Sequence, residues 1–257
     1  MTYLDNIFYL IPEIFLSLSI VFLLGYGVIY TKLGGDTSAI GATKGGKLVG
    51  ELKNITYLSI LALFITIWLV LLTNSSESVD TGIIISNGLL GIDSYSVIIK
   101  TICLFTGSII LLMSLNIYEK KDEKLVDYEY SQLILMSILG MLLLVSSRDL
   151  ILMYLSIETL SLSLYVLAAI RRSGQYSTEA GLKYFILGAL SSGLLLFGSS
   201  LIYIITGLTE FESISNYIWL SESSEIGLSL GAAFIIMALL FKLAAAPFHM
   251  WAPDVYE

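Results

Sequence analysis

Seven stretches of this sequence are long and apolar and carry no more than one Asp, Glu, Lys or Arg each: residues 7–30, 55–72, 94–118, 130–146, 150–170, 180–206 and 228–251. Each is near the ~20 residues that a helix needs to cross the hydrocarbon of a bilayer. No other feature narrows the fold as much. In hydrocarbon every backbone N–H and C=O must be bonded within the protein, which leaves helices or a closed barrel. The alternation of a barrel strand is absent, and there are only three prolines. Charged residues make up 13% of the chain, against about 25% in soluble domains. The expected fold is an all-α, polytopic membrane bundle of about seven helices. The last is expected to break near Pro247, which lacks the N–H to bond the carbonyl of Leu243. At Arg148-Asp149 a single long tilted helix competes with two separate spans.

The loops imply an orientation. Lys32, Lys44, Lys47 and Lys53 follow the first span, Lys120, Lys121 and Lys124 the third, and Arg171 and Arg172 the fifth. The alternate loops hold Arg148 as their one base and carry Glu77, Asp80, Glu210, Glu212, Glu222 and Glu225. Nine bases against one place the N-terminus outside and the C-terminus inside.

The remaining motifs exclude most chemistry. One cysteine, Cys103, allows no internal disulfide. No basic stripe with interleaved aromatics suggests nucleic acid. The start lacks the basic region of a signal or transit peptide, so the first span is expected to be retained. Residues 41–47 imitate a phosphate-binding loop, but Leu48 stands where a hydroxyl would reach Mg²⁺, and no strand precedes them. A flexible loop is expected there. No metal-ligand cluster, cofactor fingerprint or nucleophile triad is present.

Ionisable groups inside spans are where function is expected, because a charge at bilayer depth costs about 2.5–3.5 kcal/mol on insertion scales. Tyr154, Glu158, Ser161 and Tyr165 recur at steps of four, three and four, which places them on one helical face. Lys100 and Lys183 lie nearer span ends. Snorkelling to the headgroups is the preferred reading of Lys100 and one of two for Lys183. Ser177-Thr178-Glu179 reads as a cap for the sixth helix. Gly181, Gly188, Ser192 and Ser199 give that helix a small-residue face, and Gly227 and Gly231 are a weaker signal of the same kind. Packed on the fifth span, the sixth could bring Lys183 to Glu158 as a protonation switch. Lys242 lies deep in the seventh span. It would share a face with His249, the only histidine, were the helix to continue. A buried lysine loses its proton more readily than one in water, and histidine titrates nearest neutral pH. The four groups suit a proton relay, and a histidine that bonds the broken backbone is the structural alternative.

Three segments carry a family resemblance. They are Met153-Tyr-Leu-Ser-Ile-Glu158, Ser177-Thr-Glu-Ala-Gly-Leu-Lys-Tyr184 running on to Gly198, and Phe241-Lys-Leu-Ala-Ala-Ala-Pro-Phe-His-Met-Trp-Ala-Pro-Asp-Val-Tyr-Glu257. In order, and from about Ile11-Pro-Glu-Ile-Phe15 onward, the chain resembles the subunit 2 family of respiratory complex I, the proton-pumping NADH:ubiquinone oxidoreductase. The last motif is partly shared with multisubunit sodium/proton antiporters. The resemblance implies two inverted five-helix repeats, each with a broken helix. It assigns Glu158, Lys183 and Lys242 to proton translocation, driven by quinone reduction in other subunits. No cofactor is expected on this chain apart from bound lipid: NADH, FMN, iron–sulfur clusters and ubiquinone belong elsewhere. Residues 1–129 would be an N-terminal three-helix segment and 130–257 an incomplete first repeat.

The family's subunit continues past Asp-Val-Tyr-Glu, whereas this sequence ends at Glu257. The expectation is the N-terminal piece of a subunit made as two polypeptides, with a truncated sequence as the alternative. Expected partners are the other membrane-arm subunits, a polypeptide supplying the C-terminal half, and lipid. The expected location is the mitochondrial inner membrane, with a bacterial plasma membrane giving the same charge pattern. Competing functions are a stand-alone cation/proton antiporter subunit and a scaffold without transport.

Overall fold

The computed structural model describes residues 3–35, 44–73, 82–86, 88–115, 129–171, 174–220 and 226–256. Half of the loop charges behind the orientation argument lie outside them: Lys120, Lys121, Lys124, Arg172, Glu77, Asp80, Glu222 and Glu225. The described residues form nine helices and one two-stranded hairpin. Six helices are long and apolar enough to cross a membrane, and a seventh, of 17 residues, is apolar but shorter. The chain is a multi-pass helical membrane protein. It divides into two compact units.

The first unit holds α1 (Tyr3–Gly35), α2 (Lys44–Thr73), α3 (Ser94–Ser114) and α4 (Glu129–Ser146). From Lys44 onward the glycine-rich stretch expected as a flexible loop is the first turn of α2. Its packing follows helical periodicity. Tyr9, Glu13, Leu16, Ile20 and Leu23 form the buried stripe of α1, and Val97, Lys100, Leu104 and Leu111 that of α3. On α3, Gly107 leaves room for the Ile138 side chain of α4. The unit boundary falls between Val145 and Ser146. The boundary at 129/130 concerns sequence repeats, which packing does not measure.

The second unit comprises residues 84–91 and 146–257. Its helices are α5 (Leu150–Ala168), α6 (Gln175–Thr206), α7 (Phe211–Leu220), α8 (Ile226–Lys242) and α9 (Trp251–Tyr256). No single long helix runs through Arg148-Asp149: α4 ends at Ser146 and α5 begins at Leu150. Asp149 is the N-cap of α5, accepting from the Ile151 N–H at 2.7 Å and the Leu152 N–H at 3.4 Å. Replacing Asp149 with alanine strands those donors. It is expected to cost about 0.5–2 kcal/mol, read as a lower midpoint of thermal unfolding in detergent, with asparagine nearly neutral.

Besides α9, two elements have no counterpart among the seven expected spans. One is the hairpin of β1 (Ile83–Ile85) and β2 (Leu90–Ile92), whose signal was Asn87-Gly88 between two short apolar runs. Leu89 of its turn accepts from the Arg148 N–H at 3.0 Å. The other is α7, whose Ile214 packs with Leu150 and Ile202. The Leu150 N–H donates to the Thr209 carbonyl at 3.0 Å. The start of α5, the end of α6 and the start of α8 therefore meet at one end of this unit, with Leu228 in the same cluster.

Small residues set the interior. Gly198 of α6 and Gly231 of α8 face each other so closely that a methyl on Gly198 would lie 2.7 Å from the Gly231 carbonyl oxygen. The Ser191 hydroxyl donates across the same interface to the Ala238 carbonyl at 3.0 Å. The Gly227 and Gly231 signal is thus spent on α8 against α6, whereas Gly181 and Gly188 of the expected α6 face pack on α5, against Ala169 and Tyr165. The expected cap at Ser177 is not formed. Helix α6 begins two residues earlier, with Gly174 at its N-cap, and the Ser177 hydroxyl donates to the Ala168 carbonyl at 2.9 Å. Serine inside a helix can bond outward in this way when a neighbouring helix end offers a free carbonyl.

Candidate functional site

The site is built where α8 ends. The seventh span was expected to run to residue 251 with its break at Pro247. The helix stops instead at Lys242, and Pro247 lies inside an irregular segment before α9. Three carbonyls of the last turn of α8 are met by protein. The Leu243 N–H bonds the Leu239 carbonyl, the Ala245 N–H that of Leu240, and the Ala244 N–H that of Phe241. Phe241 accepts a second bond from the indole N–H of Trp251 at 3.1 Å. Trp251 stacks on Tyr184, and Tyr184 meets Tyr165 edge to face. The aromatic cluster ties α9 back onto α5 and α6 and closes the end of the broken helix.

Lys242 turns into this cluster. Its Nζ donates to the Tyr165 hydroxyl at 3.0 Å and the Ser192 hydroxyl at 3.4 Å, and lies 5.5 Å from the centre of the Tyr165 ring. All three contacts are to neutral groups. Gly188 makes the arrangement possible, because a Cβ there would overlap the Tyr165 hydroxyl. A lysine held by hydroxyls alone can donate to Tyr165 when charged and accept from it when neutral, which is what proton transfer at this atom requires.

The polar stripe on α5 faces inward as its spacing implies. Ser161 and Tyr165 are buried, and Tyr154 and Glu158 are half-buried. One carboxylate oxygen of Glu158, Oε2, is buried without a hydrogen-bond partner. Depths follow from the 1.5 Å rise per residue. Measured from the end where α5 begins, Glu158 lies about 12 Å in, Tyr165 about 22 Å, Lys242 about 24 Å and Lys183 about 34 Å.

That ladder overturns the expected Glu158–Lys183 pair. The two are about 22 Å apart along the helix axes. Lys183 instead donates to Asp254 of α9 at 2.8 Å, and it pairs with Glu179 one turn earlier at 2.9 Å. Its side chain is 44% exposed. His249 does not share a helical face with Lys242, because the helix has already ended; it is exposed beyond the break. Lys100 does not snorkel. It is 3% exposed and meets Glu13 at 2.6 Å. Sequence reasoning missed Asp254, Ser192 and Glu13 as partners. It grouped Tyr165 with Glu158 but did not link it to Lys242.

Residues 147–257 match the family model described as NADH:quinone oxidoreductase/Mrp antiporter, TM, and the chain belongs to that family. Over 99% of its length it is 42% identical to the NADH-quinone oxidoreductase subunit N of Pelagibacter ubique. Over 96% it is 40% identical to the NADH-ubiquinone oxidoreductase chain 2 of Marchantia polymorpha. The chain spans about half the length of these relatives, 48% of each. Its fold also matches a chain of respiratory complex I from Thermus thermophilus with bound aureothin, at a TM-score of 0.69 and 26% identity. That match covers 95% of this chain and 47% of the other.

Proposed function

We propose that this chain is the N-terminal part of an antiporter-like complex I subunit, and that it helps carry protons across the membrane while other subunits oxidise NADH and reduce ubiquinone. The observation that carries this reading is the set of exchange-competent groups at successive depths of one helical unit. Glu158 has an unpartnered buried oxygen, and Ser161 and Tyr165 continue its face. Lys242 is held by the hydroxyls of Tyr165 and Ser192. Lys183 and His249, both exposed on the chain, serve as end groups of the path. Seven residues separate Glu158 from Tyr165, about 10 Å along α5, so water or a moving side chain must bridge that gap.

The relatives are about twice as long. In this reading the complete path needs polypeptide beyond these 257 residues, supplied either by a continuation of the same chain or by a second chain that docks in the membrane. Mass spectrometry of the purified complex distinguishes the two: a single longer chain containing both halves, or two separate ones. The charge pattern supports an outward N-terminus, and the motif wording supports the mitochondrial inner membrane. A stand-alone cation/proton antiporter subunit is the second reading, favoured by the antiporter half of the family's description. Copurification with redox subunits separates the two.

The direct test is Glu158→Gln in the assembled complex, reconstituted into vesicles. NADH-driven acidification, followed with a pH-sensitive dye, is expected to fall by on the order of 10²-fold in the transfer step, the contribution of a positioned acid–base group. Unchanged acidification by a correctly assembled complex would remove Glu158 from the path.

A further inference from the structure

The first unit, outside the matched family region, contains an ion pair that the transport reading does not use. Lys100 of α3 and Glu13 of α1 meet at 2.6 Å, with side-chain exposures of 4% and 8%. Each is the seventh residue of its membrane span, Ser94–Ser114 and Ile7–Ile29. Both therefore lie about 9 Å in from the start of the span. Glu13 sits on the α1 packing stripe between Tyr9 and Leu16, and Lys100 on the α3 stripe between Val97 and Leu104. The second carboxylate oxygen of Glu13 is buried and has no hydrogen-bond partner.

We propose that Glu13 and Lys100 form an intramembrane charge clasp that fixes the register of α1 on α3 and so selects one arrangement of the N-terminal helices. A lysine about 9 Å from a span's end could extend toward the headgroups. Here the ammonium turns inward to a carboxylate at the same depth. Apolar stripes alone allow a helix to slide by a turn with little change in buried surface. With the clasp in place, a one-turn slip moves the two charges about 5.4 Å apart along the axis and leaves each bare in a medium that penalises bare charge heavily. Compensation for Glu13 comes from Lys100, since its other oxygen has no donor. Buried pairs are known to act as register devices in this way, and removal of one partner is far worse than removal of both.

Cys103, the only cysteine in the chain, lies one turn from Lys100 and is half-buried, so it reports on the packing of α3. The full chain in lipid nanodiscs would be labelled with a thiol-reactive fluorophore as wild type, Glu13→Gln, Lys100→Gln, the double variant, and the exchanged pair Glu13→Lys/Lys100→Glu. The clasp requires each single variant to label on the order of 100-fold faster than wild type. The double and exchanged chains should return to within about tenfold of it. Membrane accumulation of the five chains, measured alongside, should rank the same way and decides if a single variant does not accumulate. Single variants that behave as wild type overturn the proposal. So does a double variant that labels and accumulates no better than the worse single, because the loss would then not depend on an uncompensated charge.

Discussion

Lys242→Met in the assembled complex is expected to abolish proton translocation and leave the helices in place. Methionine keeps the length and apolar stem of the side chain but brings no proton. The Tyr165 and Ser192 hydroxyls lose their shared donor, and the step through this point should slow by on the order of 10²-fold or more. Lys242→Arg is the sharper variant. Arginine preserves the positive charge and its cation–π contact with Tyr165, yet cannot be deprotonated in a protein. If Lys242 acts by giving up its proton, the arginine variant should assemble normally and transport no better than the methionine variant. If it acts only as a fixed charge, arginine should restore transport. Acidification of vesicles at matched NADH oxidation distinguishes these outcomes. Normal transport by the methionine variant would exclude Lys242 from the path altogether.

The second large effect is structural. Gly198→Val is expected to separate α6 from α8, because its Cβ would press on the Gly231 carbonyl at 2.7 Å and on the Ile235 backbone nitrogen at 3.0 Å. These are main-chain atoms of a regular helix and cannot rotate away. The helices must move apart, which forfeits the Ser191–Ala238 bond and the contacts that place Lys242 beside Ser192. Overpacking of a close interface typically costs about 1–3 kcal/mol, sometimes more, and a valine here should lie at the upper end. Thermal unfolding in detergent measures it. Gly193→Val on the same helix, where no neighbour lies within 4 Å of the added Cβ, is the control and should be close to neutral. Equal losses at both positions would show that helix propensity, not the α6–α8 contact, sets the cost.

Much of this molecule is legible in its residue order. Span number, the inward face of Tyr154, Glu158, Ser161 and Tyr165, and the small-residue face of α6 all follow from local periodicity, since a helix repeats every 3.6 residues wherever it is placed. The Glu158–Lys183 pairing failed for a reason the sequence already contained. Antiparallel helices joined by a short turn bring together residues equally far from that turn, and Gly181 packs on Ala169 accordingly. Lys183 is therefore level with the end of α5, whereas Glu158 is level with the middle of α6.

The sequence alone determined that these residues cross a membrane as helices and which ionisable groups travel with them. Hydrocarbon tolerates only helices or a closed barrel, the alternation of a barrel is absent, and a charge inside a span is visible in one dimension. Only the tertiary structure decided what each charge meets. Lys100 finds Glu13, Lys183 finds Asp254, and Lys242 finds two hydroxyls. In each case the outcome turns on the rotation and register of one helix against another, and for Lys183 and Lys242 also on the early end of α8 at Lys242, held by an indole N–H ten residues downstream. Those are long-range quantities that no local pattern encodes.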